Sequence, residues 1–402
     1  MTDPSAIQSL AQQASVDVEF ATRVSEAGIL PADASTFGQR EVRRVLLLRS
    51  WEDAGLSVEL VARLIEEGKL SLAFLDTPVI AGPGRLDRTY EDLSIDENVS
   101  LAFVQRLHEA IGFLAPRGDE LARADDPTMV GLAKIFTSIG VSEAGVLRLF
   151  RVYADALRRI AQAEAELFES EVEGRLRSAG LDERQLLEFG SDVGERIIGS
   201  LEGSLLAVYR RHREHIWIEH STNHAEVALD QAGLQPREPR VHTIVFVDLT
   251  GYTRLTEEGG DELAARVAAE LAALVQDISY RRAGRPIRWL GDGGMFHFRG
   301  AHDAVLAALD MADAAPAAGL PPTHIGIHTG PLIFQDGDVY GRTVNISARV
   351  ASQAGAHEVL VTEETATAAG GGDVAFYEDR IVELKGIGQP VTLFRPTRDP
   401  RP

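Results

Sequence analysis

Phe246-Val247-Asp248-Leu249-Thr250-Gly251-Tyr252-Thr253 places a single carboxylate at the end of an apolar run and follows it with a flexible turn. The run 242–247 is rich in β-branched residues and alternates little, which is the pattern of a strand buried on both faces. Asp248 therefore falls at a strand end. Gly251 lets the backbone approach a ligand closely, and the amides of Tyr252 and Thr253, at a helix start, can donate to phosphate oxygens. Together these features can hold a metal beside a phosphate. Standing alone, an Asp after a buried strand is more often a turn residue or a cap, so its partners decide.

A second carboxylate comes from Arg288-Trp289-Leu290-Gly291-Asp292-Gly293-Gly294-Met295-Phe296, where two apolar runs flank a Gly-Asp turn and predict a β-hairpin with Asp292 at its tip. Two strand-end carboxylates side by side repel and raise one another's pKa unless a divalent cation compensates the charge. Mg²⁺ or Mn²⁺ suits the pair, because hard cations take oxygen ligands and Mg²⁺ typically binds one or two carboxylates plus substrate phosphates. The chain has no cysteine to favour a softer metal.

Further along, Asp338-Val339-Tyr340-Gly341-Arg342-Thr343-Val344-Asn345-Ile346-Ser347-Ala348-Arg349 runs from a polar turn into a helix, with Asn345 and Arg349 at i,i+4 on one face. Glu383-Leu384-Lys385-Gly386-Ile387-Gly388 then reads as a hairpin-like turn bearing the only lysine after Lys134.

In this order and spacing, the four elements resemble the signature of a class III nucleotidyl cyclase catalytic domain, over residues 241–397. The resemblance implies an α/β (α+β) domain with a ferredoxin-like βαββαβ core, and a role for each residue. Asp248 and Asp292 match the metal-binding aspartates, with the Leu249 carbonyl as a further ligand to Mg²⁺ or Mn²⁺, two ions per active site. Asn345 and Arg349 match the pair that orients the ribose and stabilises charge developing at the α-phosphate. Lys385 matches the phosphate-binding lysine, with Gly251, Tyr252 and Thr253 on the phosphate side.

Arg288 and Asp338 fall where the family reads the base. Adenylyl cyclases usually carry Lys at the first of these positions, so this chain departs there. Adenine offers an acceptor at N1 and a donor at N6, which suits a donor-only Arg288 and an acceptor Asp338; guanine presents the reverse. Arg and Lys are not interchangeable at a fitted site, so the departure bears on rate and substrate choice. The implied reaction is attack of the ribose 3′-oxygen of ATP on the α-phosphorus, giving 3′,5′-cyclic AMP and pyrophosphate. One metal lowers the pKa of the hydroxyl and the other neutralises the triphosphate. The family works as a homodimer whose sites take the aspartates from one subunit and the Asn/Arg pair from the other. A degenerate cyclase that binds nucleotide as a signalling module would keep the same fold.

Gly259-Gly260-Asp261-Glu262-Leu263 nearly spells the motif of diguanylate cyclases, where it sits on a hairpin. Here Leu263, Val267, Leu271, Leu274 and Ile278 follow at helical spacing, so Asp261 reads as an N-cap or first-turn acid.

At 402 residues, 45% hydrophobic and 25% charged, the composition is that of a globular chain of two domains. No apolar run approaches the roughly 20 residues of a membrane span, and the N-terminus lacks a signal-peptide pattern. Absence of Cys fits a reducing cytosol, so the expected location is cytoplasmic. The formal net charge is −21, with 14 Lys+Arg against 21 Asp+Glu from residue 241 onward and 26 against 40 before it. Neither half has the bulk charge of a nucleic-acid binder.

After an N-terminal segment of residues 1–40, residues 41–231 read as an all-helical regulatory domain. Val146, Leu149, Phe150, Tyr153, Leu157 and Ile160, for example, fall on one helix face. Ser57, Ser100 and Ser142 recur at spacings of 43 and 42 residues, each with Val at +4, Arg at +6 and Leu at +7. A helix start used three times explains this more simply than duplication, since Ser is a good N-cap. Gly180-Leu181-Asp182 with Leu186 reads as a faded fourth copy.

Val42-Arg43-Arg44-Val45-Leu46-Leu47-Leu48-Arg49-Ser50-Trp51-Glu52-Asp53-Ala54-Gly55-Leu56-Ser57 resembles the second helix pair of winged-helix regulators of the mercury-resistance-regulator type. That opens a DNA-binding reading, a cyclase-fused regulator, which the acidic half-chain argues against. Residues 89–230 are more similar to the helical regulatory region that precedes the cyclase domain in soluble, pH-responsive actinobacterial cyclases.

A Pro-containing linker over 232–240 separates the halves. Just before it, His212, His215, His220 and His224 gather four of the 11 histidines within 13 residues. Their ordinary pKa near neutrality makes them candidates for pH-responsive regulation. His220-x-x-x-His224 has zinc-ligand spacing but no Glu follows His220, as it would in a metalloprotease, and a solvated helix face is the plainer reading.

Overall fold

The stretch before residue 41 folds together with the helices C-terminal to it. Helices α1 (Pro4–Gln13) and α2 (Val18–Glu26) start at Asp3 and Asp17, whose side chains accept from the N–H groups of Ser5 and Phe20. They share one core with α3 (Gln39–Asp53) and α4 (Val58–Glu66), built from Leu10, Phe20, Val45, Leu48 and Val61 among others. The structure, a computed structural model, describes residues 3–32, 34–76, 82–235 and 242–398. It divides into two units, Met1–His224 and Ala225–Pro402. Of the linker expected over 232–240, residues 236–240 lie outside the described residues.

Three arginines of α3 are engaged within the fold. Arg43 Nε donates to the Leu75 carbonyl at 2.9 Å, Arg44 Nη1 to the Ile29 carbonyl at 3.2 Å, and Arg49 Nε lies 3.3 Å from Asp53.

A second core joins β1 (Arg85–Thr89), α5 (Tyr90–Glu97), α6 (Leu101–Ala110), β2 (Leu121–Arg123), α7 (Asp126–Ser138) and α8 (Glu143–Phe168). β1 and β2 pair antiparallel, a short two-stranded ribbon within an otherwise helical unit. Strands of five and three residues are too short for hydrophobic periodicity to announce them. Ser57, Ser100 and Ser142 each cap a helix, accepting from the N–H of Leu60, Phe103 and Gly145, and the Val at +4 is buried each time. The apolar face of α8 is covered at Val146 and Phe150, but Leu157 is exposed. A π turn (Glu169–Glu173) and α9 (Gly174–Ser178) lead to α10 (Glu183–Gln231), a helix of 49 residues in which Leu186 is buried.

The C-terminal unit comprises β3 (His242–Leu249), α11 (Tyr252–Gly259), α12 (Asp261–Arg281), β4 (Arg285–Trp289), β5 (Gly293–Phe298), α13 (Ala301–Ala317), β6 (Thr323–Gly330), β7 (Ile333–Gln335), β8 (Asp338–Tyr340), α14 (Arg342–Ala351), β9 (Glu358–Thr362), α15 (Glu363–Ala369), β10 (Val374–Val382) and β11 (Val391–Arg398). Its main sheet has the order β10-β11-β9-β6-β3-β5-β4. The stretch β6-β3-β5-β4 is antiparallel throughout and is connected as βαββαβ, a ferredoxin-like core. β9 extends it parallel to β6, with α14 as the crossover.

Val245, Val247 and Leu249 pack with α12 and α13, whereas Ile244 and Phe246 turn to the other face with Met295 and Val339. Asp261 opens α12 as a first-turn acid, so the diguanylate-cyclase-like motif is not on a hairpin. Among the described residues no helix is long and apolar enough to cross a membrane.

Candidate active site

Strand register assembles the first half of the site. Asp248 lies opposite Gly293 of β5 and His324 of β6, and the Leu249 N–H donates to the Asp292 carbonyl at 3.2 Å, closing the hairpin tip onto the end of β3. Burial, and then the Asp292 charge, push the Asp248 carboxyl above the usual carboxylate range, with His324 acting in the opposite direction. A Cβ on Gly293 would lie 2.4 Å from the Val247 carbonyl oxygen and 2.6 Å from Asp248 Oδ1, so no larger residue fits there.

His324 Nε2 stands 3.5 Å from Asp248 Oδ2, and Nδ1 stands 3.4 Å from Thr250 Oγ1. Sequence reasoning missed His324; only the pairing of β3 with β6 places it there. The carboxylate oxygens there carry excess negative charge, which suits a hard divalent cation. Among the described residues no three or more His, Cys, Asp or Glu side chains converge closely enough to hold a metal ion by themselves. Two carboxylates completed by phosphate and water are the habit of Mg²⁺.

The second half stands on α14. Asn345 is exposed and lines a cavity of about 250 Å³ with Phe246, Arg288, Met295, Val339 and Tyr340. Arg288 is ion-paired with Asp338, so the two residues expected to read the base hold one another. Arg349 rests on the β10–β11 turn: a Cβ on Gly386 would lie 3.5 Å from its Nη1. Leu384 of that turn is buried with Ile346, Val350 and Leu393, which holds neighbouring Lys385 close to α14. Arg349 Nη1 is buried and has no hydrogen-bond partner among the described residues. A buried guanidinium N–H without an acceptor is costly, and an anionic ligand would satisfy it.

Gly251, at φ +81°, precedes the first turn of α11, which begins with Tyr252 and Thr253. His212, His215, His220 and His224 are all on exposed positions of α10, with His220 Nε2 and His224 Nε2 3.0 Å apart.

Residues 235–395 match the profile of the adenylate and guanylate cyclase catalytic domain. The C-terminal unit is a class III nucleotidyl cyclase domain. Similarity to full-length cyclases also runs into the helical unit. A pH-sensitive adenylate cyclase of Mycobacterium tuberculosis is 27% identical over 338 residues, 78% of this chain and 79% of its own. An adenylate cyclase of Glutamicibacter nicotianae is 26% identical over 341 residues, covering 80% and 82%. Among solved structures, the adenylyl cyclase CyaB from P. aeruginosa is 24% identical to this cyclase over 40% of the chain and 96% of its own, with a TM-score of 0.36.

Proposed function

We propose that this chain is an adenylyl cyclase that converts ATP to 3′,5′-cyclic AMP and pyrophosphate. The observation that carries the reading is the Asp248–Asp292 pair, two strand-end carboxylates brought together by the β3–β5 register, where partial burial and the Asp292 charge raise the Asp248 carboxyl and a divalent cation would compensate the charge. Asp248, Asp292 and the Leu249 carbonyl would hold Mg²⁺ or Mn²⁺. When bound, two such ions acidify the ribose 3′-hydroxyl and neutralise the triphosphate.

The chain's own groups do the rest. Asn345 orients the ribose for attack on the α-phosphorus. Arg349 presents fixed positive charge where negative charge grows, and one such donor is worth about 3–4 kcal/mol in other enzymes. Lys385 and the amides of Tyr252 and Thr253, after Gly251, bind the phosphates that leave as pyrophosphate. Adenine exchanges the Arg288–Asp338 ion pair for a donor to N1 and an acceptor from N6.

We read the enzyme as a cytoplasmic homodimer with shared sites, its catalytic domain over 241–397 and a regulatory domain over 41–231 together with the helices that precede and pack on it. The pH-sensitive relative supports control by pH, for which His212, His215, His220 and His224 are exposed candidates. Incubating the purified protein with Mn²⁺ and ATP, and separately GTP, tests the reading. Cyclic AMP is the expected product; nucleotide binding without any cyclic product would make the chain a degenerate signalling module.

A further inference from the structure

Two i,i+4 pairs share helix α14 and point in opposite directions. Thr343 and Ser347 precede Asn345 and Arg349 by two residues, a rotation of about 200° in a helix of 3.6 residues per turn. Asn345 is exposed, whereas Thr343 is 2% and Ser347 0% exposed. Thr343 Oγ1 donates to the Pro331 carbonyl at 2.7 Å. Ser347 Oγ lies 2.7 Å from the Ile244 carbonyl oxygen and 3.0 Å from that of Gly326, so its single proton is shared between β3 and β6. Neither hydroxyl has a part in the chemistry above.

The strand beneath is cut for close approach. Gly326 and Gly330 are four residues apart on β6 and therefore share a face. A Cβ on Gly326 would lie 1.9 Å from the Ala351 nitrogen, and one on Gly330 would lie 2.7 Å from Thr343 Oγ1. The helix thus meets the strand backbone to backbone. Apolar packing there is non-directional and leaves rotation about the helix axis soft, whereas hydrogen bonds to fixed carbonyls are directional.

We propose that Thr343 and Ser347 are positioning residues of the cyclase reaction, bolting α14 to β3, β6 and the loop after β6 so that Asn345 and Arg349 face the nucleotide. The inference rests on the cyclase reading of Asn345 and Arg349. A displacement of about 1 Å at such a site costs up to a hundredfold in rate.

The test uses the full chain with Thr343→Val, which keeps shape and removes the hydroxyl, Thr343→Ser, which keeps the hydroxyl, and Ser347→Ala. Steady-state kinetics with Mn²⁺ and ATP, and amide hydrogen exchange across residues 342–351, are measured well below each melting temperature. The expected result is a kcat loss of about tenfold or more in Thr343→Val and Ser347→Ala with KM little changed. Faster exchange in α14, and kcat restored in Thr343→Ser, are expected alongside it. Equal loss in Thr343→Val and Thr343→Ser would show packing rather than the bond, and overturn the proposal. Parent-like kcat and exchange in both hydroxyl-deleted variants would do the same. A parent chain that makes no cyclic nucleotide defeats the cyclase reading alone, and exchange in α14 still decides whether the hydroxyls fix the helix.

Discussion

Asp248 is held in a place that suits its charge poorly. Its carboxyl is raised by burial and by Asp292, so Asp248→Ala or Asp292→Ala removes one member of a repelling pair. Each variant is expected to lose turnover entirely while its melting temperature stays level or rises, read by cyclic AMP formation and thermal unfolding. Mn²⁺ at a hundredfold excess over its Kd should stabilise the parent by about 2.7 kcal/mol and neither variant. Near-parental activity in either variant would end the site assignment. Arg288 pairs with Asp338, so under the proposed reading a base bound there would have to break a charge-assisted bond to enter. GTP should be rejected by at least about a hundredfold in kcat/KM, because a mispaired base leaves polar groups unsatisfied. Arg288→Lys, with a point charge in place of the planar fork, should raise ATP turnover. A fall would show a pocket fitted to Arg.

Elements packed around Asp126 should make the stability of the N-terminal unit depend on pH. Asp126 is buried at the start of α7, accepts from Tyr90 Oη of α5 at 2.7 Å and from the Arg123 N–H at 3.0 Å, and faces His108 Nε2 of α6 at 3.3 Å. Burial lowers the pKa of His108, but the facing Asp126 carboxylate and the bond to the Val104 carbonyl outweigh it, and the net shift is upward despite Arg123 nearby. Burial raises Asp126, yet His108 and Tyr90 outweigh it and its net shift is downward. The His108 contribution to stability is therefore complete below about pH 6.5 and lost as pH rises through the raised value. The Asp126 contribution is present above the unfolded value of 3.8 and lost as pH falls through the lowered one. Melting temperature should peak between these limits, and His108→Ala should remove the alkaline limb at a cost of about 3–5 kcal/mol for an orphaned buried carboxylate. A parent-like pH profile in that variant would refute the account. This network is invisible in the sequence because Tyr90 and Asp126 stand 36 residues apart and each alone is an ordinary residue. The same holds for His324, brought to Asp248 only by register, and for Ser347, whose partners lie on two strands. By contrast, the β-branched run before Asp248, the Gly-Asp hairpin tip and the Asn345/Arg349 spacing are local signals, and local signals survive without tertiary knowledge. Residues 1–40 read as a separate segment in the sequence because their helices are short and the core they share with α3 is a long-range fact.

At the scale of the whole molecule, the candidate site residues fall into two clusters carried by different elements. Among the described residues no hydrogen bond or ion pair joins Asp248 or Asp292 to Asn345, Arg349 or Lys385. The first cluster gathers at the ends of β3 and the β4–β5 hairpin, and the second on α14 and the β10–β11 turn. If a second copy supplies the missing half, a C2 pair builds two complete sites, each from one carboxylate cluster and one α14. Asp248→Ala then disables the first half of its own chain and leaves α14 intact, while Arg349→Ala does the reverse. Each variant alone should be inactive, since every site in its homodimer lacks one half. In a heterodimer of the two, one site receives both defects and the other neither. Random exchange in an equal mixture makes half of the dimers mixed, so activity should return to about a quarter of the parent's. Co-purification of differently tagged chains establishes that exchange has occurred. Continued inactivity of a mixture so verified would mean that carboxylates and α14 serve one site within a single chain.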